Sequence, residues 1–160
     1  MSSVKPIPEG YYAVTPSLTC RDAARAIEFY KSAFGAQELF RMPTPDGRVA
    51  HAEIKIGDSH VMINDEFGPT ATLQGGSPPS YLFLYVEDAD RVFNAAVSGG
   101  SRVDMALENQ FWGDRFGKIT DPFGHQWGIA THVEDVTPEE MQQRSQAWFA
   151  KMAKAAGHSG

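Results

Sequence analysis

At 160 residues and 42% apolar, the chain is long enough for one well-buried core, or for two small modules that share one. Its formal net charge of −6, with 14 basic against 20 acidic residues and no basic run, excludes the cationic face that nucleic-acid binding draws on. The single cysteine, Cys20, excludes an intrachain disulfide and a thiolate zinc knuckle, and a reducing, cytoplasmic setting is expected.

The first twelve residues carry one lysine and no apolar run, unlike a secretory signal. The apolar runs are a few residues long, too short to span a membrane. Residues 11–20 read as extended. Asp22 is a helix N-cap, and Ala23, Ala26, Ile27, Tyr30 and Phe34 recur at helical spacing up to a closing Gly35. "QELFRMP" (37–43) is a strand, "TPDGR" (44–48) a hairpin turn, and "VAHAEIKIG" (49–57) an alternating strand. A Gly-Asp-Ser turn then leads into "HVMIND". These elements make a β-α-β-β-β module over 11–66, followed by a Gly-, Pro-, Ser- and Thr-rich linker loop at 67–79.

The second half repeats the order over 80–133. "YLFLYVE" is a strand, and Asp88 caps a helix carrying Ala89, Val92, Phe93, Ala96 and Val97 that ends at Gly99-Gly100. "RVDMALEN", "RFGKIT", the turn "DPFG" and "QWGIATH" follow. Sliding the chain against itself by 66 residues aligns Leu18 with Leu84, Asp22 with Asp88, Arg25 with Arg91, Gly47 with Gly113 and Ile63 with Ile129. A tail helix at 137–156 has Thr137 as N-cap, Pro138 at its first position and Glu140 completing a capping box. Its apolar side (Met141, Trp148, Phe149, Met152) is expected to pack on its own core or on a partner subunit. The fold class is therefore α+β.

Tandem β-α-β-β-β modules, with "DAARAIEFYKSAFGA" in the first and "DPFGHQWGIATH" ending the second, resemble the vicinal oxygen chelate superfamily. That group holds glyoxalase I, the bleomycin resistance proteins and the extradiol dioxygenases. The phrases "HAEIKIGDS" and "FWGDRFGKITDPFGH" are similar to its small PhnB-like members. The resemblance implies that each sheet curls into a half-cup, that the two half-cups face each other, and that helices cover the outside. It further implies a homodimer with the cup formed across it.

Metal-using members place one ligand on the first and one on the last strand of each module. Carried onto this chain, these positions are Thr15, Met62, Tyr81 and Gly128. None is a competent ligand for zinc or iron, which take His, Cys or carboxylate. No metal and no other cofactor is expected. His125 and His132 lie at the two ends of one strand, roughly 23 Å apart at strand rise, and cannot share an ion. They read as a solvated turn histidine and a strand-end histidine.

Strand alternation offers a site instead. Ala52, Ile54 and Ile56 point to the helix, while His51, Glu53 and Lys55 point to the cup. On the next strand His60, Met62 and Asn64 share that face. His51 and Glu53 can hydrogen-bond a ligand or act as an acid–base pair. Tyr81 is expected to look into the cup and Trp127 to be core. In the loop "ENQFWGDRFG", Trp112 offers a flat surface and Arg115 a charge for an anionic group near the mouth. No activated nucleophile and no phosphate loop is present. The candidate ligand-binding residues are thus His51, Glu53, Met62, Asn64, Tyr81, Trp112 and Arg115.

The function expected from these residues is metal-independent binding of a small organic ligand, planar and partly cationic, as in the bleomycin resistance proteins. Two alternatives are a metal-dependent glyoxalase- or dioxygenase-like enzyme, and a metal-free enzyme using His51 and Glu53 as acid–base groups. No nucleic-acid or membrane partner is expected.

Overall fold

The computed structural model describes residues 5–67 and 80–157; most of the expected linker loop, 68–79, lies outside them. Eleven elements follow the chain: β1 (Ser17–Cys20), α1 (Ala23–Phe34), β2 (Gln37–Pro43), β3 (Val49–Ile56), β4 (Ser59–Asp65), β5 (Leu82–Tyr85), α2 (Ala89–Ser98), β6 (Arg102–Asn109), β7 (Asp114–Thr120), β8 (Gln126–His132) and α3 (Pro138–Gly157). They build an α+β fold with two four-stranded mixed sheets, ordered β1-β4-β3-β2 and β5-β8-β7-β6. In each, the first strand runs parallel to the last and the rest are antiparallel.

The two modules repeat their side-chain chemistry as well as their order. Asp22 accepts from the Arg25 N–H at 3.2 Å, and Asp88 from the Arg91 N–H at 3.1 Å. The first helical N–H has its own acceptor on the last strand: Ala23 donates to Asp65 Oδ1, and Ala89 to Thr131 Oγ1, both at 2.9 Å. These satisfy donors that a helix start otherwise leaves open. The parallel registers match too, Leu18 with Ile63 and Leu84 with Ile129. Gly47 and Gly113 sit at φ 86° and 101°, left-handed conformations that favour glycine, in matching hairpins.

The 66-residue step fails in one place. In β3 the pairing skips Ala50, since Met42 faces His51 and Pro43 faces Val49. This is a bulge, and β7 has none there, because Asn109 faces Arg115 and Glu108 faces Phe116. The second module places its extra residue in the last turn instead, which has three residues between Asp121 and His125 where the first has two between Ile56 and Ser59. Past the bulge, Ala52 and Ile54 therefore correspond to Gly117 and Ile119, one position off the global shift.

The core lies between each helix and its sheet: Ala26, Ile27 and Tyr30 of α1 meet Ile54 and Ile63, and Val92, Phe93 and Ala96 of α2 meet Ile119 and Ile129. The modules join on this helix side. Tyr30 and Phe34 pack on Trp127 at 5.6 and 4.7 Å between ring centroids. Asp121, 3% exposed, takes the Tyr30 hydroxyl at 2.5 Å and the Trp127 indole N–H at 2.9 Å on Oδ2. Its Oδ1 takes the N–H groups of Phe123 and His125 at 3.0 and 2.9 Å. His125 is more than a solvated turn residue, because its ring nitrogen Nε2 meets the Thr19 carbonyl across the module boundary at 2.9 Å.

Helix α3 has no buried residue. Arg144 holds it, through Glu134 at 2.7 and 2.9 Å and the Phe111 carbonyl at 3.3 Å. Thr137 caps it by accepting from the Glu140 N–H, but the Glu140 carboxylate lies toward Arg144 at 4.0 Å. No helix among the described residues is long and apolar enough to cross a membrane.

Asp121→Asn is expected to destabilise the fold by at least about 1–3 kcal/mol, because the amide NH₂ faces buried donors on one side and leaves them without an acceptor. Tyr30→Phe, which leaves the carboxylate three donors, is expected to cost less. Urea unfolding of the two variants checks the order; equal stability of Asp121→Asn and the parent would show that the carboxylate does not join the modules.

Candidate functional site

Each sheet has one face under its helix and one face open. On the first sheet the open face carries Phe40 opposite Glu53, Met42 opposite His51, Met62 opposite Glu53, and His60 opposite Lys55. Cross-strand partners share a face, so His51, Glu53 and Met62 come together as the alternation predicts. His51 Nε2 lies 3.3 Å from Glu53 Oε1. Asn64 is on the same face but is engaged, donating to the Asp65 carbonyl at 2.8 Å and accepting from the Thr19 hydroxyl at 3.4 Å.

Tyr11 joins this face, which strand alternation could not show. Tyr11 donates its N–H back to the Pro8 carbonyl, and Gly10 turns at φ 86°. The turn lays the Tyr11 ring 4.2 Å from the His60 ring. The Tyr11 hydroxyl is beside the Glu53 carboxylate without hydrogen-bond geometry, and it and His60 Nδ1 are buried without a partner among the described residues. Burial, with the Glu53 charge, pushes the Tyr11 hydroxyl up to about 12. The Tyr11 hydroxyl and the His51 ring hold the Glu53 carboxyl below its ordinary range, against the desolvation that opposes them. Glu53 is therefore a carboxylate at neutral pH.

The open face of the second sheet is aromatic. Phe83 pairs with Gly128 and Tyr85 with Ala130. Phe83 stacks on Phe116 at 5.1 Å and 12°, and Trp112 lies 5.8 Å from Phe116. Tyr81 sits just before β5, with Lys118 Nζ 4.1 Å from its ring centroid, so one face of this ring already has a cation. At the end of this face Asp114, 2% exposed, accepts from the Tyr85 hydroxyl (2.8 Å), the Trp112 indole (3.1 Å) and His132 Nδ1 (2.9 Å). The other His132 nitrogen meets Asp135 at 2.8 Å, and hydrogen bonds to Asp135 and Asp114 raise the His132 pKa.

Arg115 lies elsewhere. It binds Asp90 of α2 through Nε and Nη2 at 2.8 and 2.9 Å, and Asn109 at 3.2 Å. It faces the helix, with its donors engaged, and not the open face with Trp112. The sequence reads Arg115 as a loop residue, but it lies on β7, where alternation puts Phe116 and Lys118, rather than Arg115, on the open side.

The four positions where a metal would be held do not fit one. The Thr15 hydroxyl donates to the Tyr12 carbonyl at 3.3 Å, and Met62 and Tyr81 bring a thioether and a phenol. Gly128 is closed off by rings: a Cβ there would lie 2.7 Å from Phe116 Cε2 and 3.1 Å from Tyr81 Cε2. Among the described residues no three His, Cys, Asp or Glu side chains gather as a metal would require. Burial pushes the Cys20 thiol up to about 12, which makes it a poor nucleophile.

The sequence model of the Glyoxalase/Bleomycin resistance protein/Dioxygenase superfamily matches residues 12–129. An uncharacterized protein of Mycobacterium tuberculosis is 43% identical over 137 residues, covering 81% of this chain and 80% of that protein. Among solved structures, TioX from Micromonospora sp. ML1 is similar with a TM-score of 0.60 and 26% identity, over 79% of this chain and all of the other. The fosfomycin resistance protein FosX from Listeria monocytogenes shares the fold at a TM-score of 0.61 and 13% identity, covering 81% of this chain and 97% of its own.

Gly128→Ala is expected to lower stability by about 1–3 kcal/mol, the usual cost of overpacking, as its methyl group pushes Phe116 off the sheet. Urea denaturation measures this. An alanine tolerated without loss would mean that the rings leave room for a side chain at this position.

Proposed function

Because the chain belongs to the Glyoxalase/Bleomycin resistance protein/Dioxygenase superfamily, we propose that it binds a small organic molecule on the open faces of its sheets without a metal ion. The observation that carries this reading is the filling of the Gly128 position by Phe116 and Tyr81.

The ligand is planar and partly cationic. Glu53 supplies the charge, and the Phe40, Tyr11 and Trp112 rings supply flat contact. His60 Nδ1, buried without a partner among the described residues, is available to its polar atoms. The lowered Glu53 pKa favours holding a donor over acid–base catalysis, which works best with a group poised near the working pH.

The two open faces are not in contact within the chain: among the described residues no hydrogen bond, ion pair or ring contact links them. Phe40 and Met42 are 46% and 49% exposed, and Tyr81 and Phe83 42% each. Apolar patches of this kind mark binding surfaces. A twofold dimer that sets the first sheet of one copy against the second sheet of the other covers both patches twice and encloses the ligand between Glu53 and the aromatic face. Light scattering on the purified chain is expected to give twice the 17.5 kDa of one copy; a monomer at micromolar concentration would remove the shared cup.

Calorimetric titration tests the ligand class. Benzamidine, a planar cation, is expected to bind more tightly than neutral benzamide. Glu53→Gln should remove about 1.5–3 kcal/mol of that binding, as for a hydrogen bond to a charged group, and leave benzamide unaffected. Equal binding of the two compounds by the parent protein would refute the charge assignment.

A further inference from the structure

A groove of about 750 Å³ lies between the modules, away from the open face that holds Glu53. This is within the ~300–1,000 Å³ typical of small-ligand sites. Phe34 at the end of α1, Ile56 before the β3–β4 turn, and Leu84, Val86 and Val92 of the second module make its apolar lining. Lys31, Glu87, Arg91 and His132 bring charge to it.

Two of these four are already compensated. Lys31 meets Glu28 and Glu38, both at 3.1 Å, and His132 sits between Asp114 and Asp135. Glu87 and Arg91 differ. Both are exposed, and among the described residues neither side chain has a hydrogen bond or an ion pair. Arg91 uses only its backbone N–H, toward Asp88. The groove thus presents one uncommitted anion and one uncommitted cation beside an apolar lining.

We propose that this groove binds a small zwitterion with an apolar side chain, of the apolar α-amino acid class. The Arg91 guanidinium takes the carboxylate, a geometry to which its fork is suited. Glu87 takes the ammonium group, and the lining around Phe34 and Leu84 takes the side chain. A carboxylate without an amine is repelled by Glu87, and an amine without a carboxylate is repelled by Arg91. Selectivity therefore rests on both charges in one ligand.

Three probes that share a phenyl ring and a two- to three-carbon chain test this by calorimetry on the full chain: L-phenylalanine, 3-phenylpropanoate and 2-phenylethylamine. L-Phenylalanine is expected to bind at least about tenfold more tightly than either single-charge analogue, a difference of about 1.4 kcal/mol or more. Arg91→Ala and Glu87→Gln should each weaken it by a similar factor with no change in melting temperature, since both side chains are exposed. Glu53→Gln should leave it unchanged, which separates this groove from the sheet-face site. The proposal is overturned by no saturable heat with L-phenylalanine, by equal binding of an analogue, by an Arg91→Ala protein that binds like the parent, or by loss of binding in Glu53→Gln.

Discussion

One buried carboxylate decides how the two halves of this chain meet. Asp121 stands in the last hairpin of the second module and accepts from four donors. Two of them are the N–H groups of its own turn, and one is the Trp127 indole next to it in space. The fourth is Tyr30, on the helix of the first module. Tyr30 is fully buried, and burial together with the nearby Asp121 charge raises its hydroxyl pKa well above the ordinary value, so it remains a donor. The turn that ends the second sheet and the helix that covers the first sheet are thereby held by a single group. A buried charge is tolerable only when its hydrogen bonds are filled. The requirement therefore fixes the turn, the indole and the helix together, and leaves the sheets' other faces free.

Much of this architecture is legible in the sequence. Asp22 and Asp88 before apolar helical runs, Gly35 and Gly99 after them, and the Asp-Gly and Asp-Pro-Phe-Gly turns are local signals with local causes, and the elements fall where they predict. The 66-residue repeat is legible for the same reason, since helix caps and parallel registers are set by residues a fixed distance apart. What the repeat conceals is the bulge at Ala50. The residue added by the bulge is balanced by the extra residue in the second module's last turn, so a gapless alignment passes over it. Arg115 is misplaced for another reason: read as part of a loop at the mouth, it is the second residue of β7, where strand alternation turns it toward α2 and Asp90.

The candidate site is less legible than the fold. The alternation of β3 gives His51 and Glu53, because two neighbours on one strand face need only the strand's period. Tyr11 is invisible to such reasoning. It reaches His60 and Glu53 through a turn at Gly10, and nothing in a tyrosine six residues ahead of the first strand indicates which face it will cover. Asp114 is similar: its three partners come from β5, the hairpin and β8, so its role depends on tertiary placement.

The pseudo-symmetry of the modules and the asymmetry of their open faces are therefore separate properties. Helix caps, registers and core positions obey the repeat because each module must bury the same kind of helix on the same kind of sheet. The open faces are under no such constraint and have diverged, one to a carboxylate among histidines and methionines, the other to stacked rings with Lys118 above Tyr81. Two identical polar faces would repel or demand an ion between them. In the dimer we propose, a carboxylate face set opposite an aromatic face would suit a different occupant, one that presents a cation to the first and a plane to the second. Lys118, already seated over Tyr81, would neutralise part of what such a ligand gains from that ring, and so would direct its charge toward Glu53.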